Sequence, residues 1–198
     1  MTNRSRAGLE LVPGLFGIES DELGVSTRSA QPMIQILTDR LDINEAYARS
    51  FSKRQFLETL QDWGEVRDSF PIVLASLHGF PGGIEIGSER ILLDEIAVAL
   101  SKSGSGGLLH FSCCSVLDVP SPMGRNFLKA SRLDAITGYS RPVDFIRPIS
   151  LELEFMGRLF AVEPSRASIV EAIRGLKRAV PGLVEETGFT AYALKKGS

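Results

Sequence analysis

The sequence predicts an α/β protein, a three-layer sandwich with helices on both faces of a mostly parallel central sheet. Strand-like and helix-like segments alternate along the chain, which is typical of βαβ crossovers. The runs at 70–77 and 108–112 are nearly all apolar, as strands covered on both faces should be. The chain has 198 residues and no visible repeat or linker, so we expect a single domain over 1–198.

The predicted strands are short apolar or alternating segments bounded by glycine, proline or polar residues. The first contains a Pro-Gly irregularity, and the segment "GIEIGSERILL" is expected to form a small hairpin before the next helix. With that hairpin at 83–93, the strands are predicted at 8–19, 45–51, 70–77, 108–112, 133–139 and 188–196.

The predicted helices carry apolar residues at a helical period. The clearest begins with a capping box formed by Ser52 and Gln55 and ends at Gly64. In the longest one, Pro148 is tolerated only if it falls within the first turn or so. The helices are predicted at 31–42, 52–64, 93–101, 122–132, 143–160 and 165–180.

Composition and charge indicate an ordinary soluble globular protein. Apolar residues make up 43% of the chain, and the net charge of −2 favours neither nucleic acid nor an anionic membrane as a partner. No apolar run approaches the roughly 18 residues of a membrane span. Glu10 and Pro13 interrupt the N-terminal apolar part, so no signal peptide is expected. Two adjacent cysteines do not make a disulfide framework, and a cytoplasmic location is the default.

Chemically capable side chains follow the two most apolar strands. His78 comes directly after the first, and Cys113 and Cys114, the only cysteines, come directly after the second. Ligands of parallel sheets bind at the carboxyl ends of the strands. The predicted crossover helix between the two strands would set them side by side, about 4.8 Å apart. The sequence therefore predicts that His78 and a cysteine meet at one edge of the sheet.

A Cys–His pair at such an edge suits nucleophilic catalysis. The imidazole takes the thiol proton and later returns it to the leaving amine. The backbone N–H groups of Gly79 and Cys114 are expected to stabilise the oxyanion, since a glycine lets the main chain approach a substrate closely. The structural alternatives are a loop histidine beside a turn glycine and a plain buried thiol.

Alternation along an extended segment points the side chains of Cys113 and Cys114 to opposite faces, so one of them is expected to face His78. Cys113 stays the alternative nucleophile. His110 lies within the strand, below its end, and is expected to have a core or supporting role rather than to act as the base.

Four further polar residues are candidates for the site. The hydroxyls of Ser112 and Ser115 could orient the catalytic groups or form local turn bonds. Asp118 and Asp144 could line a pocket for a basic substrate side chain, but each also suits a cap, and Asp144 fits the start of the 143–160 helix.

Three segments of the chain follow one another as "SLHGFPGGIEIG", "LLHFSCCSVL" and "FLKASRLDAITGYSRPVDFIRPISLELEFM". The order strand–His-Gly, strand–Cys and then a Gly-Tyr and Val-Asp-Phe block resembles the caspase-like (clan CD) cysteine peptidases. The likeness is strongest to a small bacterial branch related to the CHAT domains, and it covers about 14–195 of this sequence.

The resemblance implies a caspase-hemoglobinase fold with His78 as the base. In the branch the cysteine usually stands in a context such as Ser-Cys-Ser, which implies Cys114 as the nucleophile. It also implies a protein or peptide substrate, a regulatory protein partner and a role in stress or antiphage defence, such as activating a gasdermin-like pore former. The caspase pattern Gln-Ala-Cys-X-Gly is absent, and the His–Cys separation is 36 residues, so aspartate specificity is not expected.

Two other function classes stay open at this point. A catalytically inactive caspase-like domain could serve as a binding module, and the vicinal Cys113–Cys114 pair could serve as a redox sensor. The glycines at 79–83 do not form a phosphate loop, because no lysine and helix follow them. The sequence predicts no cofactor and no metal site.

Overall fold

The computed structural model describes residues 12–20, 29–144 and 146–194. Nine strands lie in this part of the chain, namely β1 (Gly14–Ser20), β2 (Asn44–Ser50), β3 (Ile72–Ser76), β4 (His78–Phe80), β5 (Gly83–Ile86), β6 (Glu89–Leu92), β7 (Leu108–Ser112), β8 (Ala135–Tyr139) and β9 (Phe189–Ala193). The helices there are α1 (Gln31–Leu41), α2 (Lys53–Glu65), α3 (Leu93–Ser101), α4 (Ser121–Ser131), α5 (Ile146–Leu159), α6 (Arg166–Ala179) and α7 (Pro181–Thr187).

The large sheet has six strands in the order β2-β1-β3-β7-β8-β9. Its pairings are parallel from β2 to β8, and β9 runs antiparallel to β8. Helices cover both faces, with α2, α3 and α4 packing on one and α1, α5, α6 and α7 on the other. The predicted three-layer α/β sandwich with a mostly parallel sheet is confirmed.

Alternation along each strand divides the core between the two faces. On β3, Val73 and Ala75 pack on the α2–α4 side, while Ile72 and Leu74 pack on the α1–α5 side. All four are fully buried, as expected of a strand covered on both faces. The same alternation holds in β7, where Leu109 and Phe111 pack on the α2–α4 side and Leu108 packs on the α1–α5 side.

A second, three-stranded antiparallel sheet, β4-β5-β6, follows β3 immediately. Pro81 and Gly82 form the turn between β4 and β5, and Gly82 has a φ of +82°, which suits the third position of a type II turn. The predicted hairpin is confirmed as β5 and β6. The extra strand β4 was not predicted, because three residues are too few to show an alternating pattern.

Most predicted elements lie within a few residues of their expected bounds. Ser52 caps α2 by accepting a hydrogen bond from the Gln55 N–H at 3.3 Å, as predicted. Pro148 falls in the first turn of α5, where its missing N–H costs nothing. The short helix α7 was not predicted. Positions 8–11 and 195–196 of the predicted terminal strands lie outside the described residues, and none of the described helices is long and apolar enough to cross a membrane.

Candidate active site

The carboxyl ends of three adjacent strands form one edge of the large sheet. Glu19, Ser76 and Ser112 are register partners in a single row across β1, β3 and β7. His78 and Cys114 each lie two residues beyond this row. Because β3 and β7 are adjacent parallel strands about 4.8 Å apart, the segments that follow them begin at the same edge of the sheet. Both line one cleft.

The cleft has a volume of about 210 Å³ and lies between the strand ends and the beginnings of α1 and α5. Three of its lining residues are acidic, namely Glu19, Asp144 and Glu152, and no lysine or arginine of the described residues lines it. Sites for drug-sized ligands have volumes of about 300–1,000 Å³. The cleft is therefore of a size to hold one side chain of a larger ligand.

Cys114 is partly exposed in the cleft. Its Sγ accepts a hydrogen bond from the Val143 N–H at 3.4 Å and lies 3.6 Å from the Val143 carbonyl oxygen. The turn that follows is held by the Ser115 N–H, which donates to the Arg141 carbonyl at 3.0 Å, and by a Ser115 φ of +54°. The thiol is thus fixed against the segment before α5 with one side open to the cleft.

Cys113 is buried and belongs to the core on the α2–α4 side of the sheet. Burial, followed by the charges of Cys114 and Glu152, raises the pKa of its thiol far above the ordinary value. The neutral thiol is a poor nucleophile. Cys113 also contributes to the lining of the cleft, so the two cysteines differ in exposure: Cys113 is buried in the core, and Cys114 is partly exposed. That only one of them faces His78 stays a prediction.

Gly79 lies directly against both cysteines. A Cβ at this position would overlap the carbonyl oxygen of Cys114 and lie 3.0 Å from the Sγ of Cys113. Any larger residue would push β4 away from the cysteine turn. The glycine is therefore required for the close approach of the two segments, one of which carries His78. His78 itself is exposed, begins β4 and pairs with Glu85 of β5.

A buried polar network lies beneath the cysteine turn. His110 Nδ1 is 2.8 Å from Thr137 Oγ1, and its Nε2 is 3.0 Å from Glu152 Oε1, which also accepts a hydrogen bond from the Tyr139 hydroxyl at 2.8 Å. Burial raises the pKa of Glu152, but hydrogen bonds from His110, Ser112 and Tyr139 outweigh it and hold that pKa below its usual range. The network supports the strand end and lies too deep for His110 to act on a substrate, as expected.

Glu19 lies at the opposite end of the cleft with its carboxylate almost fully buried. It accepts hydrogen bonds from the Ala30 N–H at 3.2 Å, from the Ser29 hydroxyl at 2.9 Å and from the Tyr47 hydroxyl. Burial and the hydrogen bond to Glu19 raise the pKa of Tyr47 to about 12. Tyr47 is therefore a donor to Glu19 at neutral pH.

The structure brings together some of the other candidates and separates the rest. Ser112 and Asp144 line the cleft, and Asp144 also caps α5 by accepting from the Ile146 and Arg147 N–H groups at 3.0 and 2.9 Å. Asp118 lines a different cavity, beside α3 and α4, and Ser115 is buried. Asp118 therefore cannot share a substrate pocket with Asp144, because it lies on the far side of the cysteine turn.

Sequence reasoning missed Glu19 and Glu152. A signal for Glu152 was present, since it stands on the apolar stripe of α5 among Pro148, Leu151, Phe155, Met156 and Leu159. A buried carboxylate on such a stripe needs partners. Glu19 gave no such signal, because its place depends on β1 lying next to β3.

The chain was compared with known proteins. A scan against protein-family models found no match, and neither did a search of curated proteins. Among solved structures, the Arg-specific cysteine proteinase gingipain R matches with a TM-score of 0.58 at 14% identity, covering 92% of this chain and 46% of that one. The complex of Porphyromonas gingivalis RgpB pro- and mature domains gives 0.58 at 14%, covering 92% and 47%.

Caspase-1 from Spodoptera frugiperda matches with a TM-score of 0.57 at 9% identity, covering 92% of this chain and 87% of that one. The chain spans about half the length of the gingipain chains and most of the caspase chain. At these identities the likeness shows the fold alone. The caspase-like fold that the resemblance implied is confirmed.

Proposed function

We propose that this chain is a cysteine peptidase in which Cys114 is the nucleophile and His78 the general base. The observation that carries the proposal is the common cleft. Register-matched strand ends deliver a partly exposed thiol and an exposed imidazole to it. The fold supports the proposal, since gingipain R is a cysteine proteinase with this architecture.

In the proposed reaction the His78 imidazole takes the Cys114 proton, and the thiolate attacks the carbonyl carbon of the scissile peptide bond. The tetrahedral intermediate collapses, the C–N bond breaks and the leaving amine takes the proton from His78. A water molecule, deprotonated by the same imidazole, then hydrolyses the thioester. The acid is released and the thiol is restored.

Backbone N–H groups next to the dyad are proposed to bind the oxyanion. Hydrogen-bonded and non-hydrogen-bonded pairs alternate in an antiparallel ladder. The pair Phe80 and Gly83 closes the two-residue turn as a hydrogen-bonded pair, so the Gly79 N–H is directed away from β5. The Cys114 N–H is the second proposed donor, while that of Ser115 is engaged by Arg141.

Burial and the raised pKa of Cys113 favour Cys114 as the nucleophile. The same facts disfavour a redox sensor built on the vicinal pair, because a sensor cysteine needs thiolate character and exposure. A protein substrate is proposed from the fold. The likeness to a bacterial branch related to CHAT domains, the regulatory partner, the defence role and the cytoplasmic location stay predictions.

The experiment is labelling with peptidyl acyloxymethyl ketones that carry different residues at the cleavage site, followed by mass spectrometry of the intact chain and its peptides. We expect a single adduct on Cys114. Labelling should be lost in Cys114→Ala and fall by at least about 1,000-fold in His78→Ala, since dyad members act as a unit.

Cys113→Ser is the matched control, one position away in the chain, and should keep the adduct on Cys114. Absence of any adduct on folded wild-type protein would contradict the proposal and favour the binding module. An adduct that moves to Cys113 in Cys114→Ala at an undiminished rate would overturn the choice of nucleophile.

A further inference from the structure

The cleft beside Cys114 is amphipathic along its length. Met33, Val143, Pro148 and Ile149 supply apolar walls, and carboxylates stand at its floor and far end. A side chain with an apolar stem and a cationic head matches such a cavity, and lysine and arginine have that form. The volume of about 210 Å³ suits one such side chain.

The three carboxylates of the cleft differ in what already binds them. Glu152 is hydrogen-bonded to His110 within the buried network. Asp144 is the N-cap of α5, and its Oδ2 lies 3.3 Å from Arg147 Nε. Glu19, in contrast, accepts hydrogen bonds from neutral donors at both of its oxygens.

The three donors to Glu19, which are the Ser29 and Tyr47 hydroxyls and the Ala30 N–H, are all neutral and fix its carboxyl group at the far end of the cleft. An ionised carboxylate has about four acceptor sites, more than these three donors fill. Glu19 therefore keeps the capacity to bind a cation.

The distance from Cys114 to Glu19 also favours a long side chain. Glu19 lies two strands, about 9.6 Å, from Ser112 along their row, and Cys114 lies in the turn that follows Ser112. The cation Arg49 stands behind Glu19 as its register partner on β2 and hydrogen-bonds Tyr47. Arg49 does not line the cleft, so a substrate cation would approach Glu19 from the other side.

We infer that the residue on the acyl side of the scissile bond is lysine or arginine, and that Glu19 determines this preference. The inference rests on the proposed function, because it names the substrate class for the same cleft. It also replaces the sequence-based expectation of an Asp118–Asp144 pocket, since Asp118 lies in another cavity.

The first test compares rates of Cys114 labelling by acyloxymethyl ketones that differ only in the final residue, arginine, norleucine or aspartate. We expect arginine to exceed norleucine by about ten- to a hundred-fold, the size of one hydrogen bond to a charged group. In Glu19→Gln that ratio should approach one. Asp118→Asn, the matched control outside the cleft, should keep the wild-type ratio. Preference for norleucine or aspartate in the wild type would overturn the inference.

A second test does not need a working dyad. In Cys114→Ala, binding of N-acetyl-arginine amide is compared with that of its norleucine counterpart by NMR titration of the backbone amides. Arginine-selective shifts near β1 and α1 that disappear in Glu19→Gln would support the inference even if no probe reacts with the wild type. Equal shifts from both amides, or no shifts, would overturn the inferred preference for a basic residue. The proposed dyad would then be judged by the labelling experiment alone.

Discussion

The surroundings of the two adjacent cysteines that follow β7, Cys113 and Cys114, differ sharply. On the α1–α5 side, Cys114 lies above a polar layer that contains Ser112, His110 and Glu152. On the α2–α4 side, Cys113 packs into an apolar cluster with Phe111 and Val116. One strand thus ends in two thiols with opposite surroundings.

This difference shows how a fold can select one of two identical side chains. The apolar face raises the pKa of the Cys113 thiol and withholds it from solvent. The polar face leaves Cys114 accessible and surrounds it with fixed hydrogen-bonding groups. The bend at Cys113 and the turn at Cys114, just beyond the last residue of β7, accompany this difference in exposure.

The largest loss of stability is expected from removing the carboxylate of Glu152, on the α1–α5 side of the sheet. Glu152→Ala leaves His110 Nε2 and the Tyr139 hydroxyl without their buried acceptor. Breaking a buried pair in this way costs about 3–5 kcal/mol. Urea unfolding followed by circular dichroism should show this loss in the free energy of unfolding.

Glu154→Ala is the matched control on the same helix. Its carboxylate is 41% exposed and pairs with Arg158, and exposed pairs of this kind contribute less than about 1 kcal/mol. If the two variants lose similar stability, the buried network does not hold the polar face together, and the contrast between the faces loses its energetic basis.

The sequence predicts which side chains of a strand share a face of the sheet, but not which polar residues of different strands meet at the cleft. Apolar runs identify β3 and β7, and alternation along each strand assigns its side chains to the two faces. Strand order is not encoded in any local pattern, so the arrival of Glu19 beside Ser76 could not be foreseen. β1 pairs with both β2 and β3, and only tertiary packing decides this.

A smaller loss of stability, together with slower labelling of Cys114, is expected from a substitution at Gly79, which lies against both cysteines. Gly79→Ala places a methyl group against the Cys114 carbonyl and close to Cys113 Sγ. Overpacking of this kind costs about 1–3 kcal/mol. Because the clash moves the cysteine turn relative to His78, the rate of Cys114 labelling should also fall, as stopped-flow or quenched labelling would measure.

The same substitution at Gly157 is the control, and it is expected to stabilise the protein rather than destabilise it. Apart from the adjacent residues and the backbone of α5 itself, no atom of the described residues lies within 4 Å of a Cβ there, and the residue is inside α5. Alanine in place of glycine in a helix interior stabilises the protein by up to about 1 kcal/mol.

Unchanged labelling in Gly79→Ala would mean that the contact between β4 and the cysteine turn does not position the dyad.

The smallest change in stability comes from the buried thiol of Cys113 and appears only at alkaline pH. The unfolded chain releases the Cys113 proton near the ordinary pKa of 9.0, whereas the folded chain retains it because burial raises that pKa. Above pH 9 the unfolded state therefore binds fewer protons, so stability falls as pH rises, by at most about 1.4 kcal/mol per pH unit. Urea midpoints at pH 8, 9 and 10 should show this decline.

Cys113→Ala should make the decline between pH 8 and 10 shallower, because the tyrosines of the unfolded chain have an ordinary pKa near 10 and titrate mainly at the upper end of this range. Tyr47 and Tyr139, whose pKa values burial also raises, add to the decline near pH 10 and above, and they do so equally in both proteins. An equally steep decline in Cys113→Ala would mean that another group titrates in this window. In that case the burial of Cys113 would not by itself explain why the adjacent thiol, Cys114, is the one available for chemistry.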